Sequence, residues 1–431
     1  MLKPEKICDT MPFENGADPT WSRGNSVILR VGDRVFVTNN RVFPRRAPNN
    51  RTSLEVYEKR DGGEWKLVFY EEGVYQREPC PILYLGDNKI AVTVNPTVET
   101  YPEDMKVHMA PCTPLVYIFD ISGEVRLIDT VKLTWDDPDY RFADHSYRSF
   151  AIDDINGNLF FTNQYLLKDG GGAHCWTLTD HEFKPLRAGK LKYPVRACYQ
   201  NIAMRGGETY VFALRDIVEP VQEWKDYKYQ VTQQHWDYDF RMVYLNYTPD
   251  IASQDFGESV VVCDRDATCG WVTNLDCCWD KNGDLLLLVC AQNVHHAFMR
   301  DKFFPGEKLE TVLEVYRLKG GKVVDVQCID KSREEEGSMA DYAGFFHTAS
   351  DGRVYIVWSK STGLSDNPVP TGTYMTPVDA LSAVPVKLLD TFGRIFGSKT
   401  RLGAGRSDVI DLYWPDGNKA IMYACCDLRN L

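Results

Sequence analysis

The sequence contains no run of about 18 consecutive apolar residues, the length that a membrane-spanning helix requires. Its first residues, MLKPEKICDTMPF, also lack the apolar stretch of about 7 to 15 residues that a secretory signal peptide needs. We therefore expect a cytoplasmic protein that does not associate with membranes, unless a leader has been removed from the natural chain.

Positive charges are fewer than negative ones. The chain carries 49 Lys and Arg residues against 61 Asp and Glu residues, which gives a formal net charge of −12. Proteins that bind nucleic acids obtain much of their affinity from Lys and Arg side chains that neutralise phosphates. The composition therefore argues against a nucleic-acid partner, and it leaves the oligomeric state open.

The cysteines do not form the pattern of a disulfide framework. Their number, 13, is odd, and Cys277 and Cys278 are direct neighbours that do not easily bridge to each other. We expect reduced thiols. A zinc site that adds Cys290, His295 and His296 is the weaker alternative, because alternation along a strand would place the two neighbouring cysteines on opposite faces. We predict no metal site and no cofactor.

What the sequence does contain is a repeat, and no helical periodicity separates its copies. A turn with Gly, often Asp-Gly or Asn-Gly, precedes a short β-prone run, and an apolar run precedes each turn, so each copy predicts a β-hairpin. The seven copies are GDRVFVTNN from Gly32, GDNKIAVTVN from Gly86, NGNLFFTNQ from Asn156, GGETYVFALRD from Gly206, NGDLLLLVCAQN from Asn282, DGRVYIVWSKS from Asp351 and DGNKAIMYACC from Asp416.

Two weaker strands follow most of these hairpins, and successive copies are 50 to 76 residues apart. Four strands per unit at such spacings are typical of a propeller blade. We therefore predict an all-β protein, a seven-bladed β-propeller with four-stranded antiparallel blades, which forms a single domain over residues 1–431. Because the seventh hairpin runs almost to the C-terminus, the N-terminal stretch EKICDT is expected to supply an outer strand and close the ring.

Long insertions mark one face of the predicted propeller. In a blade, the first strand begins and the second strand ends at the same face, and the insertions fall after second strands: residues 95–113, 215–240, 292–311 and 360–384. Loops of this length are seldom kept without a use. Their aromatic and charged residues predict walls around a funnel at the channel mouth, suited to a sugar.

Polar residues concentrate at the strand ends that face this funnel. Converging arginines on an acidic protein suggest an anionic ligand, because guanidinium groups bind carboxylates with two hydrogen bonds. The alternative is that they form structural ion pairs with nearby aspartates. The predicted substrate-binding residues are Arg23, Arg77, Arg148, Arg196, Asn201, Asn274, Tyr342 and Arg406.

Two stretches resemble a known group of enzymes. HSYRSFAIDDINGNLFFTN begins at His145, and YQNIAMRGGETYVFALRD places Tyr199 on a first strand and Arg215 at the end of the paired second strand. They are similar to the BNR-repeat-like seven-bladed polysaccharide lyases of the ulvan-lyase type and their rhamnose-glucuronate relatives. The blade pattern extends this resemblance over nearly the whole chain, whereas the Asp-box of sialidases is absent.

The resemblance implies catalytic roles for His145, Tyr199 and Arg215 in β-elimination on an anionic oligosaccharide. Arg215, with help from Arg196, would neutralise a uronate carboxylate, and Tyr199 and His145 would share the work of base and acid. A phenol with a reference pKa of about 10 needs nearby cations to act as a base at neutral pH.

Two other functions remain open. A glycoside hydrolase on the same scaffold would use two carboxylates, such as Glu78 with Asp276 or Asp408. A propeller without enzymatic activity would bind a glycan or a protein through the same rim.

The stretch PVKLLDTFGRIFGSKTRLG, which begins at Pro385, has an amphipathic pattern. We predict that it forms an outer strand and then a short segment packed on the propeller. Arg394, Lys399 and Arg401 are expected to face solvent or the funnel.

Overall fold

The computed structural model describes residues 2–10, 26–42, 52–71, 78–99, 109–145, 147–168, 171–235, 237–336, 340–362, 372–390, 394–417 and 419–431. These residues form a seven-bladed β-propeller of antiparallel sheets, which confirms the predicted fold class. Of the predicted site residues, Arg23 and Arg77 lie outside the described residues.

Blades 1 to 6 are four-stranded sheets whose strands pair in chain order. From the channel outward, the strands are Ile28–Val31, Arg34–Val42, Thr52–Arg60 and Lys66–Glu71 in blade 1; Ile82–Gly86, Lys89–Val94, Leu115–Asp120 and Arg126–Lys132 in blade 2; Arg148–Ile152, Leu159–Leu166, Gly172–Thr179 and Pro185–Leu191 in blade 3; Ala197–Arg205, Glu208–Arg215, Met242–Thr248 and Val260–Asp264 in blade 4; Trp271–Trp279, Leu285–Gln292, Glu310–Lys319 and Lys322–Arg333 in blade 5; and Ala340–Thr348, Val354–Thr362, Gly372–Pro377 and Val386–Leu389 in blade 6.

The hairpins form where the Gly-containing turns predict them. Gly157 and Gly283 turn the chain with φ values of 71° and 82°, a left-handed conformation that residues with a side chain seldom adopt. Alternating side chains of each blade then pack against the two neighbouring blades. Cys277 lies in the core between blades 4 and 5, and Cys278 lies in the core between blades 5 and 6, as the alternation predicts.

Blade 7 is assembled differently from the sequence prediction. Its last hairpin, Val409–Asp416 and Ala420–Asp427, pairs on the outer side with the N-terminal strand Glu5–Asp9. On the inner side, the backbones of Phe396 and Tyr413 exchange two hydrogen bonds of 2.8 and 2.9 Å. The hairpin therefore supplies the second and third strands of the blade rather than the first and second. The short segment around Phe396 takes the innermost position.

The chain continues from this inner segment into the central channel. Gly397 O accepts a hydrogen bond of 2.8 Å from Ser26 Oγ of blade 1. A 3-10 helix, Thr400–Leu402, contacts the first strands of blades 2, 3 and 4. We call residues 398–406 the plug, because they cross the channel. The predicted outer strand after Pro385 is present, but the segment that follows it fills the channel instead of lying on the surface.

Three of the four predicted insertions connect second and third strands, as expected. Residues 215–240 contain helix α1 (Gln222–Thr232), and residues 292–311 contain helix α2 (Ala297–Phe303). The fourth prediction, 360–384, is wrong because Gly372–Pro377 within it is the third strand of blade 6. Short strand pairs also form at the bases of two insertions: Pro111–Cys112 with Phe142–Ala143, and Ile217–Val218 with Tyr238–Asp239.

Within the described ranges, no helix is long and apolar enough to cross a membrane.

Candidate functional site

The face at which first strands begin and second strands end is called the upper face here. His145 lies on it, in the connection between blades 2 and 3, and its Nδ1 contacts Glu78 Oε1. The two side chains are 14% and 3% exposed. Asn40 Nδ2 donates a 2.7 Å hydrogen bond to the backbone oxygen of Glu78 and fixes that residue. A carboxylate in this position orients the imidazole ring.

An aromatic contact connects His145 to the start of blade 4. The ring of Tyr147 lies 5.1 Å from the ring of His145 and 4.9 Å from the ring of Tyr199, between centroids. Tyr199 has a φ of 49° at a bulge in its strand. Asn274 Nδ2 donates a 2.9 Å hydrogen bond to Tyr199 O. A positive φ is unusual for a bulky residue, and such strain is concentrated at functional sites.

Arg196 provides a cation near Tyr147. Its Nη2 lies 3.2 Å from Asp216 Oδ2, and its side chain is 30% exposed whereas that of Asp216 is 3% exposed. Burial raises the pKa of Asp216, and the charges of Arg196 and His145 oppose that rise. We define the upper-face cluster as Glu78, His145, Arg196, Tyr199 and Asp216. The structure thus brings together three of the predicted site residues: His145, Arg196 and Tyr199.

Asp144 is a site residue that the sequence analysis missed, although it directly precedes His145. It is 1% exposed. Burial and the neighbouring charge of Glu78 raise the pKa of its carboxyl group to about 6. The signal in the sequence was an acidic residue next to the predicted catalytic histidine, which alone does not separate a surface aspartate from a buried one.

The raised pKa of Asp144 predicts a pH dependence of stability. The folded protein holds this proton more tightly than the unfolded chain, so the free energy of unfolding falls as the pH rises through the interval between the two pKa values. Relative to Asp144→Asn, which does not titrate, the wild type should lose about 3 kcal/mol between pH values of about 4 and about 7. Urea unfolding at a series of pH values measures the difference.

The control for this prediction is Asp139→Asn, which changes an exposed aspartate in the same connection. Its stability profile should run parallel to that of the wild type. A parallel profile for Asp144→Asn as well would contradict the prediction, because Asp144 would then titrate alike in the folded and unfolded chains.

Arg215 does not lie in the upper-face cluster. Its guanidinium group binds Asp239, at 2.5 Å from Nη2 to Oδ2, and also contacts Asp266. The side chain is 8% exposed. Both aspartates also contact Arg241, which pairs with Glu219 at the base of α1. Arg215 therefore stabilises the insertion of blade 4, and a role in binding substrate would require it to leave two carboxylates.

Two other predicted ligands are buried between blades. Arg148 is 6% exposed, and its Nη2 donates a 2.8 Å hydrogen bond to Pro79 O, which ties blade 3 to blade 2. Tyr342 is 3% exposed within the core between blades 5 and 6, and burial raises its pKa. The prediction that these side chains face the funnel is wrong, because alternation turns them into the blade interfaces.

Asn201 and Asn274 are fully buried and bind other parts of the protein. Asn201 Nδ2 donates to Asn274 O at 3.0 Å, and Asn201 Oδ1 accepts from Arg401 Nη2 at 3.2 Å. Together with the bond from Asn274 to Tyr199 O, these contacts connect the plug to the strained residue of the cluster. The two asparagines therefore bind other parts of the protein and are not exposed in the funnel.

Arg406 lies on the opposite face of the propeller. Its Nη1 is close to Gly352, in the turn between the first two strands of blade 6. The prediction placed Arg406 before a first strand, whereas the structure shows that it precedes the second strand of blade 7. Second strands begin on the lower face, which explains the error. Asp408 follows the same rule and binds Ser350 in that turn.

The carboxylates proposed for a hydrolase are therefore not together. Asp276 is 1% exposed in the channel, where its Oδ1 lies 2.9 Å from Lys399 Nζ and 3.3 Å from Arg401 Nε. Glu78 is on the upper face and Asp408 on the lower face. Neither predicted pair can flank one glycosidic bond. Glu78 does have a carboxyl group near it, that of Asp144.

Aromatic residues of the two helical insertions form a wall beside the cluster, as the sequence predicts. Tyr199 contacts Phe240 with ring centroids 6.1 Å apart, and Phe240 contacts Trp271 at 4.8 Å. The ring of Trp271 stacks on His295 at 4.5 Å. Burial lowers the pKa of His295, so this imidazole is neutral and belongs to the wall.

No group of three or more His, Cys, Asp or Glu side chains in the described residues is placed to hold a metal ion.

No protein-family model matches the chain, and no curated protein matches it in sequence. A solved polysaccharide lyase, a PL25 ulvan lyase bound to -[GlcA(1-4)Rha3S]-, superposes with a TM-score of 0.56 at 10% identity over 99% of this chain and 98% of the lyase. A Penicillium chrysogenum α-L-arabinanase gives a TM-score of 0.48 at 10% identity over 100% and 99% of the two chains. A Trypanosoma rangeli sialidase gives 0.45 at 10% identity over 88% of this chain and 59% of the sialidase. The likeness to the ulvan lyase confirms the predicted resemblance at the level of the fold.

Proposed function

We propose that this protein is a carbohydrate-active enzyme that cleaves uronic-acid-containing oligosaccharides or polysaccharides by β-elimination in the funnel. The observation that carries the proposal is the upper-face cluster, which groups a carboxylate-bound imidazole, a phenol and a partly exposed guanidinium. The ulvan lyase that shares the fold was solved with a glucuronate-containing ligand, which supports the same class of substrate.

The reaction requires three groups and no added water. A cation neutralises the uronate carboxylate and so acidifies the proton at C5. A base removes that proton, and its electron pair forms the C4=C5 double bond while the bond between C4 and O4 breaks. An acid then protonates the leaving O4. The products are an unsaturated uronate and a sugar with a free hydroxyl group.

We assign the cation to Arg196 rather than to Arg215. Arg196 keeps 30% of its side chain exposed, and its one carboxylate partner among the described residues is Asp216. Arg215 is bound by two carboxylates and is 8% exposed. A substrate carboxylate can therefore reach Arg196 without breaking the ion pairs that support the insertion of blade 4.

Tyr199 and His145 take the proton-transfer roles. Glu78 orients the imidazole of His145, and we assign this imidazole as the acid that protonates the leaving oxygen. We assign Tyr199 as the base, and the charge of Arg196 in the same upper-face cluster would stabilise its phenolate. General acid–base catalysis of this kind accelerates reactions by about 10² to 10⁴-fold.

One observation favours glycoside hydrolysis as the second candidate function. A carboxyl group with a raised pKa, Asp144, lies near the carboxylate of Glu78. Glycosidases use such a pair as acid and as base or nucleophile. Asp144 is 1% exposed, however, so a substrate cannot reach its carboxyl group without a rearrangement.

The assignment of the cation predicts different effects for two arginine substitutions. Arg196→Ala should lower kcat/KM for a uronate oligosaccharide by about 10² to 10³-fold, because it removes the charge that stabilises the developing enolate. Arg215→Lys should lower the melting temperature and leave the activity nearly unchanged. The ultraviolet absorbance of the conjugated unsaturated product measures the activity, in parallel with thermal unfolding.

The reverse pattern would overturn this assignment. An Arg215→Lys protein that unfolds at the wild-type temperature but has lost activity would make Arg215 the carboxylate ligand. New reducing ends without the absorbance of an unsaturated product would favour hydrolysis. Neither signal from a broad panel of uronate substrates would favour a propeller that only binds glycans.

A further inference from the structure

The channel opens at the lower face into a cavity of about 510 Å³. The plug separates it from the funnel, and the ends of first strands in blades 2 to 6 surround it. Its walls include the cations Arg205 and Arg406 and the apolar side chains Ile155, Met204 and Trp279. A volume of this size lies within the range of pockets for small ligands, about 300 to 1,000 Å³.

Arg205 and Arg406 form few ion pairs with acidic side chains of the protein. Arg406 is exposed, and it pairs with no acidic side chain in the part of the chain that the structure describes. Arg205 Nε lies 3.8 Å from Asp154 Oδ2, which is a long contact. Burial raises the pKa of Asp154, and the charges of both Arg205 and Arg406 oppose that rise. Both guanidinium groups therefore lie within electrostatic reach of a single carboxyl group.

The other acidic residues at the cavity are engaged elsewhere. Asp153 accepts hydrogen bonds of 2.7 and 2.8 Å from the backbone nitrogens of Gly206 and Gly207. Asp280 accepts from Asn282 N at 2.8 Å and contacts Arg317. Asp153 thus holds the turn of the neighbouring blade 4, and Asp280 holds the turn of its own blade 5. Of the three aspartates in the wall, Asp153 and Asp280 are largely buried, whereas Asp154 is 54% exposed and faces both arginines.

An apolar surface lies next to these charges. Ile155 is 63% exposed at the rim of the cavity, although it is a large hydrophobic residue. The ring of Trp279 is fixed edge-on against Tyr210 with centroids 5.6 Å apart. Flat hydrophobic walls beside a cationic group are typical of pockets that bind a ring with an acidic substituent.

We propose that this lower cavity is a second binding site, for a small carboxylate that carries a ring. The carboxylate lies between Arg205 and Arg406, and the ring packs against Ile155 and Trp279. A sugar acid and an aromatic acid share this chemistry. The site does not depend on the function proposed for the funnel, because the plug separates the two and the cluster contributes no residue to the cavity.

Fluorotryptophan labelling tests the proposal, since Trp279 lines the cavity and its resonance is assigned by comparison with Trp279→Phe. The probes are glucuronate and benzoate, with glucose and benzyl alcohol as their neutral counterparts. We expect at least one acid to shift the Trp279 resonance saturably. Arg406→Ala should weaken that binding by about tenfold, because it removes one charge-assisted contact.

Two variants serve as controls. Arg126→Ala removes an equal charge from a side chain that is 70% exposed on the outer strand of blade 2. Arg196→Ala alters the funnel. Both should bind the acid with wild-type affinity. If glucuronate shifts the Trp279 resonance, the ligand of the cavity is a sugar acid. If benzoate alone shifts it, the ligand is an aromatic acid. No shift with either acid, an equal shift with the neutral counterparts, or unchanged affinity in Arg406→Ala would overturn the proposal.

Discussion

Tyr199→Phe is expected to lower kcat for uronate elimination by about 10² to 10⁴-fold, with little change in KM or in the melting temperature. The substitution removes only the phenolic oxygen, which is the proposed base. The ring contacts with Tyr147 and Phe240 remain, and so does the hydrogen bond from Asn274 to the backbone oxygen of residue 199. Steady-state kinetics on a uronate oligosaccharide measures the effect.

Tyr147→Phe is the matched control for this substitution. Tyr147 lies between His145 and Tyr199, and it is 6% exposed. Burial raises the pKa of its hydroxyl group, so it stays protonated and is unsuited to act as a base. The control should retain most of the activity. A Tyr199→Phe enzyme that is as active as the control would remove Tyr199 from the mechanism.

Asp276→Asn is expected to lower the free energy of unfolding by about 3 to 5 kcal/mol, because it leaves buried cations without their carboxylate. Lys399 and Arg401 of the plug are 4% and 2% exposed, and both contact Asp276 Oδ1. Burial lowers the pKa of Lys399, although the charge of Asp276 opposes that shift. The bond from Phe346 N to Asp276 Oδ2, 2.9 Å, can persist in the asparagine variant. Urea unfolding gives the change.

The control for Asp276→Asn is the same substitution in an ion pair that is exposed to solvent. Asp379 Oδ1 lies 2.8 Å from Arg353 Nη2, with side chains that are 43% and 38% exposed. Asp379→Asn should lower the free energy of unfolding by less than about 1 kcal/mol. Adding Lys399→Met to Asp276→Asn should recover part of the loss. Equal effects of the two single asparagine variants would show that the ion cluster does not hold the plug.

The architecture was predictable from the sequence because the repeat carries its own turn chemistry. Gly157 and Gly283 occupy turns that require a positive φ, and the runs around them alternate as strands do. Blade 7 was the exception. Its innermost strand is reduced to a backbone bridge between Phe396 and Tyr413, too short to produce an alternating pattern. The Asp-Gly hairpin near the C-terminus was consequently assigned one strand too far inward.

That shift of one strand explains the misplacement of Arg406. A residue before a first strand faces the funnel, whereas a residue before a second strand faces the opposite mouth.

The plug could not be predicted from the local sequence. Lys399 and Arg401 occur in a Gly-containing segment without periodicity, and their partner Asp276 is more than a hundred residues away in the chain. Sequence alone does not show which distant carboxylate compensates a buried cation.

The candidate site was partly predictable. The order of strands within a blade places His145, Arg196 and Tyr199 at the same mouth, and the structure brings them together. Arg215 ends a second strand at the same face, but its side chain is held by Asp239 and Asp266, which lie later in the chain. The carboxyl group of Asp144 was overlooked because its raised pKa arises from burial, which depends on the packing of neighbouring blades.

The central claim is that the funnel cleaves a uronate glycoside by elimination, and mass spectrometry of the products in isotope-labelled water tests it most directly. Elimination adds no water, so one product should be an unsaturated uronate that carries no oxygen label. The activity that forms it should be lost in Tyr199→Phe and kept in Tyr147→Phe. Saturated products that carry labelled oxygen would contradict the account and identify the protein as a hydrolase.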